Sequence, residues 1–179
     1  AKMAIHTDGA TSWADAAWAN VVVVTDYDRV EWFCGTYSGQ VELKPGQRRL
    51  GAARHSSSSA ELTGVTWALQ VALQFAGSIP EVEIWYDSKY ANGLAQAFLK
   101  PSAHSTLAVI AAGLDGPLRQ LTKLSWHYEA GHKGNPWNEA ADVTAKFACH
   151  TLLEPAMLSP CCAWAQLYPA APSWAFLHR

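Results

Sequence analysis

Four cysteines in 179 residues, Cys34, Cys149, Cys161 and Cys162, are too few and too irregularly placed for a disulfide framework or a paired Cys-x-x-Cys zinc site. Charge is scarce as well. Only 16% of residues are Asp, Glu, Lys or Arg and the formal net charge is -2, so there is no global pull toward a polyanion and any nucleic-acid partner must be held by local patches. No run of about 18 apolar residues lacks charge or proline, which excludes a membrane span. The opening AKMAIHTDGA has no apolar stretch of the secretory kind, and no internal repeat is visible. These absences predict a soluble intracellular protein, cytoplasmic or nuclear, in a reducing compartment. A first residue of Ala1 rather than Met suggests an excised domain, with a processed start as the alternative.

What is present is apolar and patterned. Half of the residues are hydrophobic and the aromatics number 9 Trp, 6 Tyr and 5 Phe, enough for a self-sufficient core and too many for a disordered chain. Residues 2–8, 18–25 (WANVVVVT) and 30–38 (VEWFCGTYS) read as strands joined by short polar separators, hence hairpins. Leu62, Val65, Leu69, Ala72, Leu73 and Ala76 recur at helical spacing behind a serine run, which predicts a helix over 59–77. A strand over 82–87 and a helix over 88–99 follow, closed by Pro101. Residues 105–121 keep helical spacing but contain Gly116 and Pro117, so one broken helix and two short pieces fit equally. A strand over 124–129, a Gly/Pro loop and a helix over 138–152 complete the order βββαβααβα. That order implies an α/β fold with a mixed sheet, antiparallel first and parallel after, and helices packed on it.

Two segments fall outside the pattern. Residues 39–60 form a long connection carrying Lys44, Arg48, Arg49, Arg54 and His55 against one acid, Glu42, and connections of this length are often functional. Residues 153–179 hold four prolines, Trp164 and Trp174, and only Glu154 and Arg179 as charges. The expected division is therefore a domain over 1–152 and a Pro/Trp-rich tail over 153–179.

Chemistry-bearing residues sit at element ends. Asp8 follows the first strand, Glu61 lies in the first turn of the first long helix, Asp87 ends the fourth strand and Asp142 lies one turn into the last helix. Each has a bland alternative: Asp8-Gly9 as a turn, Ser58 with Glu61 as a capping box, Asp87 as a helix cap, Asp142 on a solvated face. Together they mean more, because strands one and four of such a sheet can be neighbours and would bring Asp8 and Asp87 side by side. Carboxylates at that distance repel. A divalent cation resolves the repulsion, and oxygen-only ligands favour Mg²⁺ or Mn²⁺ over zinc. Two such ions about 4 Å apart can hold the attacking and leaving oxygens of a phosphodiester in line.

The segments HTDGA around Asp8, SSSSAELTGVTWAL around Glu61, IWYDSKYA around Asp87 and GHKGNPWNEAADVTAKFA, with His132, Asn138, Glu139 and Asp142, resemble type 1 ribonuclease H, above all the ribonuclease H domains of retroelement polyproteins. All four motifs stand in family order over roughly residues 2–152, and the last keeps nine residues between His132 and Asp142. The resemblance implies a five-stranded sheet, two Mg²⁺ ions held by Asp8, Glu61, Asp87 and Asp142, and hydrolysis of the RNA strand of an RNA/DNA hybrid. It gives His132 a role in proton transfer or product release. Ser57 and Ser58 fall where family members hold nucleic-acid backbone, and Lys89 and Asn138 are further candidates within the matching motifs. His6 and His127 are expected to be structural.

Three departures from the family pattern shape the expectation. ATSWADAAWA replaces the usual glycine-rich turn after Asp8-Gly9. The basic protrusion is missing, since residues 100–123 carry only Lys100, Arg119 and Lys123 as basic groups. In its place stands the loop with Arg48, Arg49 and Arg54. These point to a hydrolase that depends on a covalently linked reverse transcriptase to bring the hybrid. The competing reading is a non-catalytic binding or connection domain, against which the four acids argue, because a surface facing phosphates has no use for clustered negative charge. A proofreading-type exonuclease would carry a second acid two residues after the first, and Ala10 stands there.

Overall fold

The computed structural model describes residues 1–130 and 134–149. Three strands come first, β1 (Lys2–Thr11), β2 (Ala16–Thr25) and β3 (Glu31–Gln40), paired antiparallel in that order. They are followed by α1 (Ser57–Phe75), β4 (Glu81–Tyr86), α2 (Lys89–Ala95), α3 (Ser105–Leu121), β5 (Lys123–Tyr128) and α4 (Pro136–Ala148). The sheet order is β3-β2-β1-β4-β5, with β4 parallel to β1 and β5 parallel to β4. The mixed sheet and the element order are those that the hydrophobic patterning implies, and the parallel pairs take the helical crossovers that such pairing requires. Among the described residues no helix is long and apolar enough to cross a membrane. The predicted boundary at 152 and the tail 153–179 lie outside the described residues.

Strand alternation divides the interior in two. Met3 and Ile5 of β1, with Val22, Val82 and Ile84, point to one face and pack under Leu62, Val65 and Leu69 of α1 and Leu107 and Leu118 of α3. Each fully buried Leu or Ile here contributes roughly 1.5–3 kcal/mol. On the opposite face α4 lies across β1, β2 and β3, where Val21, Val23 and Phe33 meet Trp137 and Ala141 and the Phe33 and Trp137 rings stack at 5.8 Å.

Several boundaries differ from expectation for local reasons. Ser56, not Ser58, caps α1: the Ser59 N–H donates to Ser56 Oγ at 3.1 Å and the Ser56 N–H to Ser59 Oγ at 3.0 Å, a capping box built from serines alone. The helix predicted over 88–99 ends at Ala95. Ala97 adopts φ 58, and the N–H groups of Ala97 and Phe98 reach the carbonyls of Leu94 and Gly93 at 3.1 and 2.8 Å, a Schellman closure with alanine where glycine is usual. Residues 105–121 form one helix with Pro117 inside it; Gly116 and Pro117 lie on its exposed side. The last helix begins two residues early, at Pro136, because the Asn135 side chain accepts from the Trp137 N–H at 2.9 Å and proline suits the first helical position. Between β2 and β3 the register slips at Val22/Val23, with Cys34 as the extra residue beside Gly35 at φ 122, a bulge only glycine accommodates easily.

One contact controls where α1 sits. A Cβ added to Gly9 would lie 2.6 Å from the backbone nitrogen of Glu61 and 2.8 Å from Ala60, and one added to Gly64 would lie 2.6 Å from Thr7 Oγ1. The helix therefore rests directly on the β1 backbone, and Asn20, fully buried on β2, donates from Nδ2 to the Gly64 carbonyl at 3.2 Å. Gly9→Ala is expected to lower stability by about 1–3 kcal/mol, because backbone on the far side cannot yield. Gly46→Ala, with nothing within 4 Å of its added Cβ, is the control and should leave the thermal midpoint unchanged. Equal midpoints for both variants would mean that the close approach at Gly9 does not seat the helix.

Candidate active site

Asp8 lies inside β1 rather than after it, opposite Ala19 of β2. Its side chain emerges on the α4 face together with those of His6 and Ala10, since alternate strand residues share a face. The Gly9 N–H donates to its Oδ1 at 2.7 Å. Asp87 follows Tyr86, the last residue of β4, and Tyr86 is paired with Thr7, so the parallel register carries Asp87 to the side of Asp8. The cap of α2 is Ser88, whose Oγ accepts from the Ala91 N–H at 3.2 Å, which leaves the Asp87 carboxylate to face its neighbours. Glu61 comes from the other direction, one turn into α1, brought onto the sheet by the contact at Gly9. It takes no part in capping. Carboxylate oxygens of Asp8, Glu61 and Asp87 all lie within 4.8 Å of one another.

Burial makes this proximity costly. Asp8 is 6% exposed, and its carboxyl is pushed up from the ordinary 3.8 to about 8, first by loss of water and then by the charges of Asp87 and Asp142; the Gly9 bond and Lys146 pull the other way. Glu61 is raised for the same reasons, burial first and then Asp8 and Asp87, with a side-chain hydrogen bond to Asp87 adding to the effect. Asp142, the fourth expected acid, is buried on α4 but stands outside the three-carboxylate cluster. Its Oδ2 is engaged by Lys146 Nζ at 2.6 Å. It is near enough for its charge to be felt at Asp8.

Three hard oxygen donors that repel one another, Asp8 and Glu61 buried and Asp87 half-buried, suit a divalent cation of the Mg²⁺ or Mn²⁺ type, since such ions take carboxylates in preference to nitrogen or sulfur donors. The residues present fit the group that their pattern implies.

Of the residues expected to meet nucleic acid, Ser57 and Ser58 open α1 one turn before Glu61, the first exposed and the second half-buried. Arg48, Arg49 and Arg54 are exposed on the loop between β3 and α1. Lys89, exposed at the start of α2, holds its ammonium 4.7 Å from the centre of the Tyr128 ring. Asn138 is buried in the first turn of α4 and, four residues before Asp142, shares its helix face. His132 lies outside the described residues. His6 and His127 flank Trp85, at 5.5 and 4.6 Å between ring centres, one layered stack across β1, β4 and β5.

Sequence reading missed Lys146 and the two glycines. The lysine was visible as an Asp142-to-Lys146 step of four on a helix, the spacing at which opposite charges meet. Gly9 and Gly64 carry no local signal, because the close approach that requires them is set by tertiary packing.

The RNase H sequence profile matches residues 1–150. The chain belongs to the RNase H family. Solved structures agree on the fold. RNase H1 from the halophilic archaeon Halobacterium salinarum NRC-1 superposes with a TM-score of 0.61 at 18% identity, over 85% of this chain and 100% of that one. The N-terminal RNase H domain of a Mycobacterium tuberculosis protein gives 0.59 at 18% identity over 84% and 97%. The PFV RNase H domain gives 0.59 at 18% over 84% and 96%. No curated protein matches the sequence of this RNase H-family chain.

The raised Asp8 carboxyl has a measurable sign. A carboxyl whose folded pKa is about 8 against 3.8 in the unfolded chain binds more protons when folded, so its stabilising effect is complete below the lower value and lost as pH rises through the upper. Metal-free protein should therefore lose thermal stability steadily between pH 4 and pH 8, and Asp8→Asn should flatten that slope. Addition of Mg²⁺ near neutral pH should release protons, measurable by calorimetry in buffers of different ionisation enthalpy. A metal-free stability that rises across this window would contradict the assignment.

Proposed function

We propose that this domain is a divalent-metal-dependent endoribonuclease that hydrolyses the RNA strand of RNA/DNA hybrids, leaving 3′-hydroxyl and 5′-phosphate ends. The observation that carries the reading is the meeting of Asp8, Glu61 and Asp87 within 4.8 Å in a chain of the RNase H family. In the reaction, water adds to phosphorus and the bond from phosphorus to the 3′-oxygen breaks. Mg²⁺ or Mn²⁺ held by Asp8, Glu61 and Asp87, and by Asp142 once Lys146 releases it, would supply charge neutralisation and a more acidic water.

The protein's own contribution is placement. The Gly9 N–H fixes one oxygen of Asp8 and so sets the direction of the other. α1 brings Glu61 in on a helix whose amino end also presents Ser57 and Ser58, hydroxyls suited to the backbone and 2′-hydroxyl groups by which RNA is told from DNA. Buried Asn138 and Asp142 on one face of α4 supply polar groups from the opposite side. His132, placed by motif between the fifth strand and α4, is assigned to proton exchange, which its ordinary pKa near 6.5 permits.

Substrate delivery is assigned partly to the loop with Arg48, Arg49 and Arg54, and partly to a linked reverse transcriptase. In the stretch where a basic protrusion would stand, Arg119 is taken up by Asp115 at 2.6 Å and Gln96 at 3.1 Å, and Lys123 by Glu81 at 3.1 Å. This supports a weak grip on the hybrid by the domain alone.

The deciding assay compares labelled RNA/DNA hybrid, duplex RNA and single-stranded RNA in Mg²⁺, Mn²⁺ or chelator. Metal-dependent cutting of the hybrid alone is expected. Asp8→Asn and Asp87→Asn should abolish it while metal-free stability holds or rises, because each change relieves repulsion. Near wild-type turnover in either variant would sink the metal-site assignment.

Neutralising Arg48, Arg49 and Arg54 together should weaken hybrid binding regardless of sequence and flatten its salt dependence, by close to one log-log unit for each phosphate that an arginine had neutralised. An unchanged slope would mean that the loop does not touch phosphate.

A further inference from the structure

The loop of residues 41–56, which carries the arginines, is anchored at two levels. His55 bridges the Ala14 carbonyl in the β1–β2 turn and the Val41 carbonyl, the latter from Nε2 at 2.9 Å. Deeper in, the α2–α3 connection sends His104 beneath the loop. It is only 3% exposed and adopts φ 55, ψ 38, a left-handed conformation that histidine occupies at a cost unless its surroundings hold it there. Alongside, Gly51 at φ +93 packs on Thr106, whose Cγ2 would lie 2.6 Å from an added Cβ.

The hydrogen bonds around His104 determine its proton. Its Nδ1 accepts from the Ala53 N–H at 3.1 Å, so the neutral ring carries hydrogen on Nε2, which donates to Ser56 Oγ at 3.2 Å. Ser56 Oγ also accepts from the Ser59 N–H at 3.1 Å, which occupies both of its lone pairs. Its own hydrogen is therefore directed to Ser58 Oγ, 3.1 Å away. Ser58 is left with its hydroxyl hydrogen free to point outward, on the same turn of α1 that leads to Glu61.

We propose that His104 is a positioning residue for hybrid binding: with its proton on Nε2, it ties the arginine loop to the amino end of α1 and orients the Ser58 hydroxyl as a donor toward nucleic-acid backbone. The proposal rests on the hybrid-nuclease reading. It requires a neutral ring, because a proton on Nδ1 would oppose the Ala53 N–H. Burial and the charge of Arg54 both lower the His104 pKa from its ordinary 6.5. Arg54 on the loop is the charge that bears on it; the neighbouring residues of α1 and α3, Ser56, Ser105 and Thr106, are uncharged.

The test uses the full chain, ¹⁵N-labelled. Wild-type His104 should show an unprotonated Nδ1 and a slowly exchanging Ala53 amide. His104→Ala should speed that exchange and raise both the metal-free Kd for hybrid and KM about tenfold, as expected when one or two hydrogen bonds are removed, with kcat within about twofold. His104→Asn tolerates the left-handed backbone and places an acceptor where Nδ1 stood, so it should restore Ala53 protection and recover part of the affinity. Wild-type affinity should fall on acidification, at a pH lower than that of an ordinary histidine, as the ring takes up its second proton, whereas His104→Asn should lack that step. Should the alanine variant fail to fold, the asparagine variant and the pH arm still decide. Unchanged Ala53 exchange, or faster exchange with unchanged affinity, overturns the proposal. Absence of cleavage by wild type in every metal would instead defeat the nuclease reading, while amide exchange and metal-free affinity remain readable.

Discussion

α1 lies on β1 with no side chain between them at Gly9, and much of the molecule follows from that distance. A helix set one methyl further out would carry Glu61 away from Asp8 and would open a gap over Met3 and Ile5. Because Gly9 also lends its N–H to Asp8, a single residue fixes the seat of the helix and the pose of the first carboxylate. Asn20 reinforces the arrangement from the neighbouring strand through the Gly64 carbonyl. The sheet supplies the rest, since parallel pairing of β1 with β4 leaves Asp87 no choice of neighbour.

This closeness sets two demands against each other. Packing favours a dry junction of helix and strand, whereas three carboxylates in a dry junction repel. The protein resolves the conflict in two ways. Burial and mutual repulsion push the Asp8 and Glu61 carboxyls toward their uncharged forms, and Asp142 is engaged by Lys146, four residues further along its own helix, at 2.6 Å. The cost is met by apolar burial on both faces of the sheet, where α1, α3 and α4 cover it.

The hydrophobic periodicities made the strands and helices legible, and motif spacing made the four acids legible, because both signals are local or ordered along the chain. What escaped was set by contacts across the fold. Four consecutive serines left the cap of α1 ambiguous by one helical turn, and Ser56 won because His104, from a distant connection, bonds to it. The early end of α2 at Ala95 is invisible when alanine rather than glycine takes the left-handed position at residue 97. The membership of Asp142 in the site looks equal to that of Asp8 in the motifs, yet its present partner is Lys146, which lies within the last motif without being one of its acids or its histidine.

The bulge at Cys34 and Gly35 has a consequence for how copies of this chain meet. Among the described residues β3 and β5 are the outer strands of the sheet, and an uninterrupted ten-residue margin is a template on which a foreign strand can grow. The extra residue at Cys34 breaks the row of donors and acceptors midway along β3 and twists what remains, while β5 offers six residues headed by a lysine already held by Glu81. Aggregation by strand addition is thus discouraged at both margins.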